Sequence, residues 1–193
     1  MNKRSGEETR RKILTVALQI FTEQGYDSAT MRTIAQAAGI SVGGLYLYFR
    51  NKSDLYLTIL KEWLDTIQGT TLAALSRAPN PSEELTAYIA TTIDFTKQNR
   101  QMLLLMGNEL GCARGMALKR QYFRARRELL ADIVRRGSAA QLFRKCDPDE
   151  TARLIFNVLR GFIMSLLIDE EGLFGAETCI DLILNGLARR NEG

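Results

Sequence analysis

The side chains best suited to chemistry in this chain cluster between Thr30 and Lys52, in the stretch TMRTIAQAAGISVGGLYLYFRNK. Thr30 and Ser41 supply hydroxyls, Arg32 a guanidinium, Tyr46 a phenol and Lys52 an ammonium. Such groups donate hydrogen bonds to phosphate oxygens and base edges. They do not form a nucleophile with its base, because the chain contains no histidine and neither a Ser-His-Asp nor a Cys-His constellation can be assembled. No P-loop, glycine-rich dinucleotide turn or metal-ligand cluster marks any other reaction. Cys112, Cys146 and Cys179 are odd in number and widely spaced, which argues against a disulfide framework or a zinc site. The expectation is recognition without catalytic residue, cofactor or metal.

The elements that must position these groups are two short helices and a turn. Thr30 can cap a first helix with Ile34, Ala35 and Ala38 on its buried face, and Gly39 offers the left-handed conformation that closes it. Ile40 plugs the corner. Ser41 can cap a second helix, in which Leu45 and Phe49 belong to the scaffold, and Asn51 with Lys52 ends the segment. This is a helix-turn-helix, whose second helix would enter the major groove of duplex DNA.

In its order of residues the segment resembles the TetR family of bacterial transcription regulators: Ala38-Gly39-Ile40-Ser41, then Leu45-Tyr46, Tyr48-Phe49 and Lys52. The likeness extends back over Thr9 to Gly25, where Ile13, Leu14, Ala17, Leu18 and Phe21 share one helix face. It implies an all-α fold, with a three-helix DNA-binding domain over 1–52 and a larger effector-binding and dimerisation domain over 53–193. A long connecting helix from about 54 to 75 enters the second domain. The resemblance places Tyr46 and Lys52 on backbone phosphates, with the caps at Thr30 and Ser41 offering further donors. Gly43 and Gly44 stand where many members carry larger side chains, so base reading shifts to Arg32, with Val42, Leu47 and Tyr48 as neighbours.

The resemblance further implies an effector pocket among the central helices. Its candidate lining is Trp63, Ile67, Tyr88, Phe95, Met102, Met106, Phe123 and Phe162, with Asp94 or Glu109 to orient an uncharged or cationic lipophilic compound. An acyl thioester would instead seek Arg114, Lys119, Arg120, Arg124, Arg126 and Arg127, read as a basic face of one helix. Similar proteins dimerise through their last two long helices. Here that points to Leu159, Gly161, Ile163, Leu166, Ile180, Ile183 and Leu187. The expected partners are a palindromic double-stranded operator, a small apolar effector and a second copy of the chain. Repression relieved by the effector is the leading reading. A ligand-independent or activating dimer is the first alternative, and a helical-bundle enzyme or protein-interaction module comes from another class.

Composition agrees. The net charge of +4 is concentrated near the beginning, where Met1 to Glu62 carries nine Lys or Arg against six Asp or Glu, which suits phosphate binding by one end. The start, MNKRSGEETRRK, lacks a secretory apolar stretch, and no run of about 20 purely apolar residues is present, so the expected location is the cytoplasm. The leading residues to about Gly6 are expected to be flexible. Pro79 and Pro81 break the chain before a helix beginning near Ser82, and Asp147-Pro148-Asp149-Glu150 forms a marked helix start.

Overall fold

A computed structural model describes residues 3–107, 113–168 and 173–187. Among them the regular elements are all helices: α1 (Lys3–Gln24), α2 (Met31–Ala37), α3 (Val42–Tyr46), α4 (Lys52–Leu75), α5 (Pro81–Gln98), α6 (Arg100–Gly107), α7 (Ala113–Ala139), α8 (Pro148–Ile168) and α9 (Ala176–Leu187). They divide into two compact units, one of residues 1–64 and 101–118, the other of 65–100 and 119–193. The first unit therefore runs beyond the expected limit at residue 52 and takes in half of α4.

In the first unit, α1 begins at Lys3, earlier than the sequence reading allowed. Glu7, Glu8, Arg10, Arg11 and Lys12 are good helix formers and carry the helix back through Gly6, with the Thr9 hydroxyl donating to the Ser5 carbonyl at 2.8 Å. Its inward face presents Ile13, Leu14, Ala17, Ile20 and Phe21. Ile34 and Ala35 of α2, Leu45 of α3 and Leu55, Tyr56 and Leu60 of α4 are likewise buried. Each fully buried aliphatic side chain contributes about 1.5–3 kcal/mol. Phe21, Tyr26 and Tyr56 pack as an aromatic trio with ring centroids 5.3–6.0 Å apart. This is why α4 belongs with the helix-turn-helix as far as Leu64.

The second unit is built on α5, α7, α8 and α9. Leu85, Tyr88, Ile89 and Ile93 of α5 share a core with Leu130, Ile133 and Val134 of α7, Ile155, Phe156, Leu159 and Phe162 of α8, and Cys179 and Leu187 of α9. The cap of α5 is Asn80, two residues before the expected Ser82. Its side-chain oxygen accepts the Glu83 amide at 3.0 Å and Pro81 takes the first helical position. Helix α8 starts as its sequence requires, Asp147 accepting the amides of both Asp149 and Glu150 at 2.9 Å. By length and hydropathy α8 could cross a membrane. Its pattern is that of a core helix: Ala152, Ile155, Phe156, Leu159, Phe162 and Leu166 are buried, while Arg153, Asn157 and Arg160 remain outside.

Helix α7 ends against its own continuation. The Gly137 carbonyl accepts the amides of Leu142 and Phe143 at 2.9 and 3.1 Å, and the Phe143 ring folds back over Gly137. A Cβ at this glycine would lie 2.1 Å from Phe143 Cδ2, and the ring is itself buried. Gly137→Ala should therefore cost about 1–3 kcal/mol through overpacking. A urea melt checks this through its midpoint; an unchanged midpoint would mean that the ring turns aside freely.

Candidate nucleic-acid interface

The reading head is held by its caps and its turn. Thr30 and Thr33 cap α2 reciprocally, the Thr30 hydroxyl accepting the Thr33 amide at 3.1 Å and the Thr33 hydroxyl accepting the Thr30 amide at 3.1 Å. Gly39, at φ +68°, reverses the chain, while the Gly39 and Ile40 amides bond back to the carbonyls of Gln36 and Ala35 at 3.1 and 3.0 Å. Ser41 caps α3 by accepting the Gly44 amide at 3.0 Å. Leu45 is fully buried and Phe49 nearly so, which fixes the inward face of α3.

What remains outward is a compact set: Thr30 and Arg32 on α2, with Ser41, Val42, Gly43, Tyr46 and Leu47 on and around α3. Val42, Tyr46 and Leu47 are 39%, 51% and 80% exposed, an unusual concentration of apolar side chains on one short element. Gly44 and Tyr48 are half-buried. Gln36, four residues after Arg32, is also exposed on α2; its i+4 spacing from Arg32 could have revealed it in the sequence.

Lys52 has a structural role that its sequence context did not disclose. Its ammonium donates to the Tyr26 and Asp27 carbonyls at 2.6 and 3.0 Å and lies 4.4 Å from the Tyr26 ring centroid. It thus ties the connector after α1 to the start of α4. Asn51 and Asp54 complete that start, Asn51 accepting the Asp54 amide at 2.8 Å and Asp54 accepting the Arg50 amide at 2.9 Å. Arg10 braces α1 against α4 through Glu62 at 2.7 Å.

The residues expected to line an effector pocket are dispersed between the units. Trp63 and Met102 belong to the first; Ile67, Tyr88, Phe95, Phe123 and Phe162 belong to the second. Tyr88 and Phe162 are fully buried core side chains, and Phe123 packs against that core 5.5 Å from Phe156. The side chain of Met106 and all of Glu109 lie outside the described residues. Asp94 is exposed and does not point inward. The cations of α7 do not form one basic face: Arg114, Arg120 and Arg124 are exposed, whereas Lys119 and Arg126 are each only 4% exposed.

Three of the expected dimer residues also turn inward. Leu159, Leu166 and Leu187 are buried within the second unit's own core, so they supply no surface to a partner. The apolar residues of α8 recur around so much of the helix that its inner face could not be phased from sequence. Leu154, Gly161, Ile168, Leu182 and Gly186 face outward, beside half-buried Ile163, Ile180 and Ile183. Between α8 and α9 lies an apolar groove of about 430 Å³, lined by Leu154, Val158, Phe174, Leu182, Ile183 and Gly186 among others.

An all-helical chain that presents a capped helix-turn-helix on a basic end belongs to the class of DNA-binding transcriptional regulators. Residues 13–59 match the family model described as bacterial regulatory proteins, tetR family. The chain is 30% identical over 158 residues to the HTH-type transcriptional regulator BetI of Agrobacterium fabrum, covering 80% of this chain and 73% of that protein. It is 26% identical over 157 residues to the HTH-type transcriptional repressor KstR2 of Mycolicibacterium smegmatis, covering 78% and 74%. Its fold matches the crystal structure of AibR in complex with isovaleryl coenzyme A and operator DNA at a TM-score of 0.71, with 20% identity over 93% of this chain and 98% of that one. The chain belongs to the TetR family of bacterial transcription regulators.

The Lys52 geometry carries a consequence that needs no DNA. Lys52→Met should remove two charge-assisted hydrogen bonds, costing about 1.5–3 kcal/mol each at most, and lower the thermal midpoint of the free protein. A midpoint equal to that of the unaltered chain would limit Lys52 to a surface role.

Proposed function

We propose that this regulator acts in the cytoplasm as a homodimer, represses by holding a palindromic operator, and is released by a small apolar effector. The observation that carries the DNA part is the outward set on α2 and α3. Tyr46, Thr30 and Ser41 suit phosphates, and the third ammonium proton of Lys52 suits another while its first two hold the fold. Arg32 is the candidate for a bidentate guanine contact, and exposed Val42 and Leu47 suit thymine methyl groups. Gly43 lets the backbone approach the groove, since nothing lies within 4 Å of the position its Cβ would take.

A symmetric site requires two reading heads, and the exposed groove between α8 and α9 supports a face-to-face pairing of these helices between two copies. Repression follows the name of the KstR2 relative, and an effector with an apolar body follows the AibR complex with isovaleryl coenzyme A. Helix α4 contributes to both compact units as one uninterrupted element, which makes it the natural carrier of a ligand-dependent displacement.

Selection of bound duplexes from a random pool, followed by footprinting, tests the core of this reading. The winner should be two-fold symmetric, with half-sites about 34–36 Å apart or a multiple of that. Arg32→Ala and Leu47→Ser should each change the preferred sequence, losing about 1–3 kcal/mol of discrimination at one or two base pairs; an unchanged preference would reassign base reading. Leu182→Asp should give a monomer by sedimentation at micromolar concentration, and a persistent dimer would place the interface elsewhere.

A further inference from the structure

Arg126 on α7 is buried. It is 4% exposed and forms no ion pair among the described residues. Its Nη2 donates to the Thr92 hydroxyl at 3.0 Å, and its guanidinium carbon lies 4.2 Å from the Tyr88 ring centroid and 5.8 Å from that of Tyr122. Nη1 is buried with no hydrogen-bond partner among the described residues. Thr92 cannot turn its proton elsewhere at no loss, because its hydroxyl donates to the Tyr88 carbonyl at 2.7 Å. The two phenols supply no negative charge: burial raises both above their ordinary range, Tyr122 to about 12, against the opposing pull of Arg126. All of these residues belong to the second unit.

A guanidinium does not deprotonate in a protein, and a buried charge without a counter-ion is costly. Cation-π contact, the Thr92 hydroxyl and the Tyr88 phenol, all neutral, offset that cost only in part. Another arginine of the same helix is paired with acids: Arg136 is forked onto Glu84 and also bonded to Asp132 at 2.8 Å. Lys119, two turns before Arg126, is buried as well and has an interaction of its own. A planar fork with one nitrogen unspent, flanked by neutral hydroxyls and aromatic rings, matches a single carboxylate joined to an apolar body.

We propose that Arg126 is the recognition cation for an apolar carboxylic acid, with Tyr88, Thr92 and Tyr122 around its headgroup; this rests on the effector-released regulator described above. The full-length protein, Arg126→Met and Arg126→Lys are compared by thermal unfolding, alone and with hexanoate, decanoate, phenylacetate, methyl decanoate, decyl phosphate and decylamine. Without additive, Arg126→Met should melt at or above the unaltered protein, because an unpaired buried charge has been removed. At least one of the three carboxylates should raise the midpoint of the unaltered protein. That acid should bind Arg126→Lys about tenfold or more weakly, since the fork is lost, and should leave Arg126→Met unmoved.

An Arg126→Met variant that melts well below the unaltered protein, or fails to fold, makes Arg126 a structural strut and overturns the proposal. So does protection by the methyl ester or the amine equal to that by the acids, or no protection by any of the three acids. Stronger protection by decyl phosphate would assign the cluster to phosphate esters and overturn the carboxylate. Anisotropy of the selected operator separates this idea from its premise. An acid that protects through Arg126 yet leaves the operator bound sustains the site and sinks effector release. An uncharged compound that displaces the operator equally from the unaltered protein and Arg126→Met sustains release and sinks the acid site.

Discussion

The DNA-binding end depends on keeping a very short helix in place. Helix α3 has five residues, two of them consecutive glycines, and each glycine costs about 1 kcal/mol relative to alanine. A helix of that length has no independent stability, because nucleation consumes more conformational entropy than one turn of hydrogen bonds returns. Burial of Leu45 contributes about 1.5–3 kcal/mol and the Ser41 cap about 1 kcal/mol, so inward packing and capping together offset the glycines. The position of α3 is therefore decided from beneath, by Leu45, Phe49 and the turn at Gly39.

That arrangement frees the upper surface from structural duty. Val42, Tyr46 and Leu47 lie outside the buried core, and apolar exposure of this kind has no use on a surface meant only for water. Such side chains suit the contacts proposed above, because a DNA groove presents methyl groups and phosphate oxygens together. Lys52 joins the two layers. It closes the connector to α4 from below through Tyr26 and Asp27. If its remaining proton meets a phosphate, as proposed above, the stability of the head and its placement on DNA depend on one side chain.

How much was legible in the sequence varied with the distance over which each feature acts. The helix-turn-helix could be read because its determinants are local: a cap, a left-handed glycine and a few buried positions within twenty-odd residues. The start of α8 was visible in Asp147 and Pro148 for the same reason. The phase of α8 was not, because a helix apolar around most of its circumference carries no sign of which side meets α5 and which side is left outside. Leu159 and Leu166, expected at a partner's surface, are buried, while Leu154 and Ile168 are exposed. The structural role of Lys52 was hidden as well, since its partners lie 25 and 26 residues earlier.

Arg126 was the least legible of all, because a charge on a charge-rich helix is ordinarily solvated. Its setting becomes informative beside Arg136 on the same helix. Arg136, partly exposed, has two carboxylates where water would have compensated for their absence at little cost. Arg126, buried, has no carboxylate among the described residues where water cannot help, and cation-π contact returns about 2 kcal/mol or somewhat more against a desolvation cost of several. Selection for stability alone would distribute these partners the other way round. The inversion is intelligible if the anion that belongs to Arg126 is not part of the chain, in which case the free protein carries a strained centre in its second unit that a ligand relieves. That relief is the differential interaction energy any effector must have if it is to shift a regulator between two states.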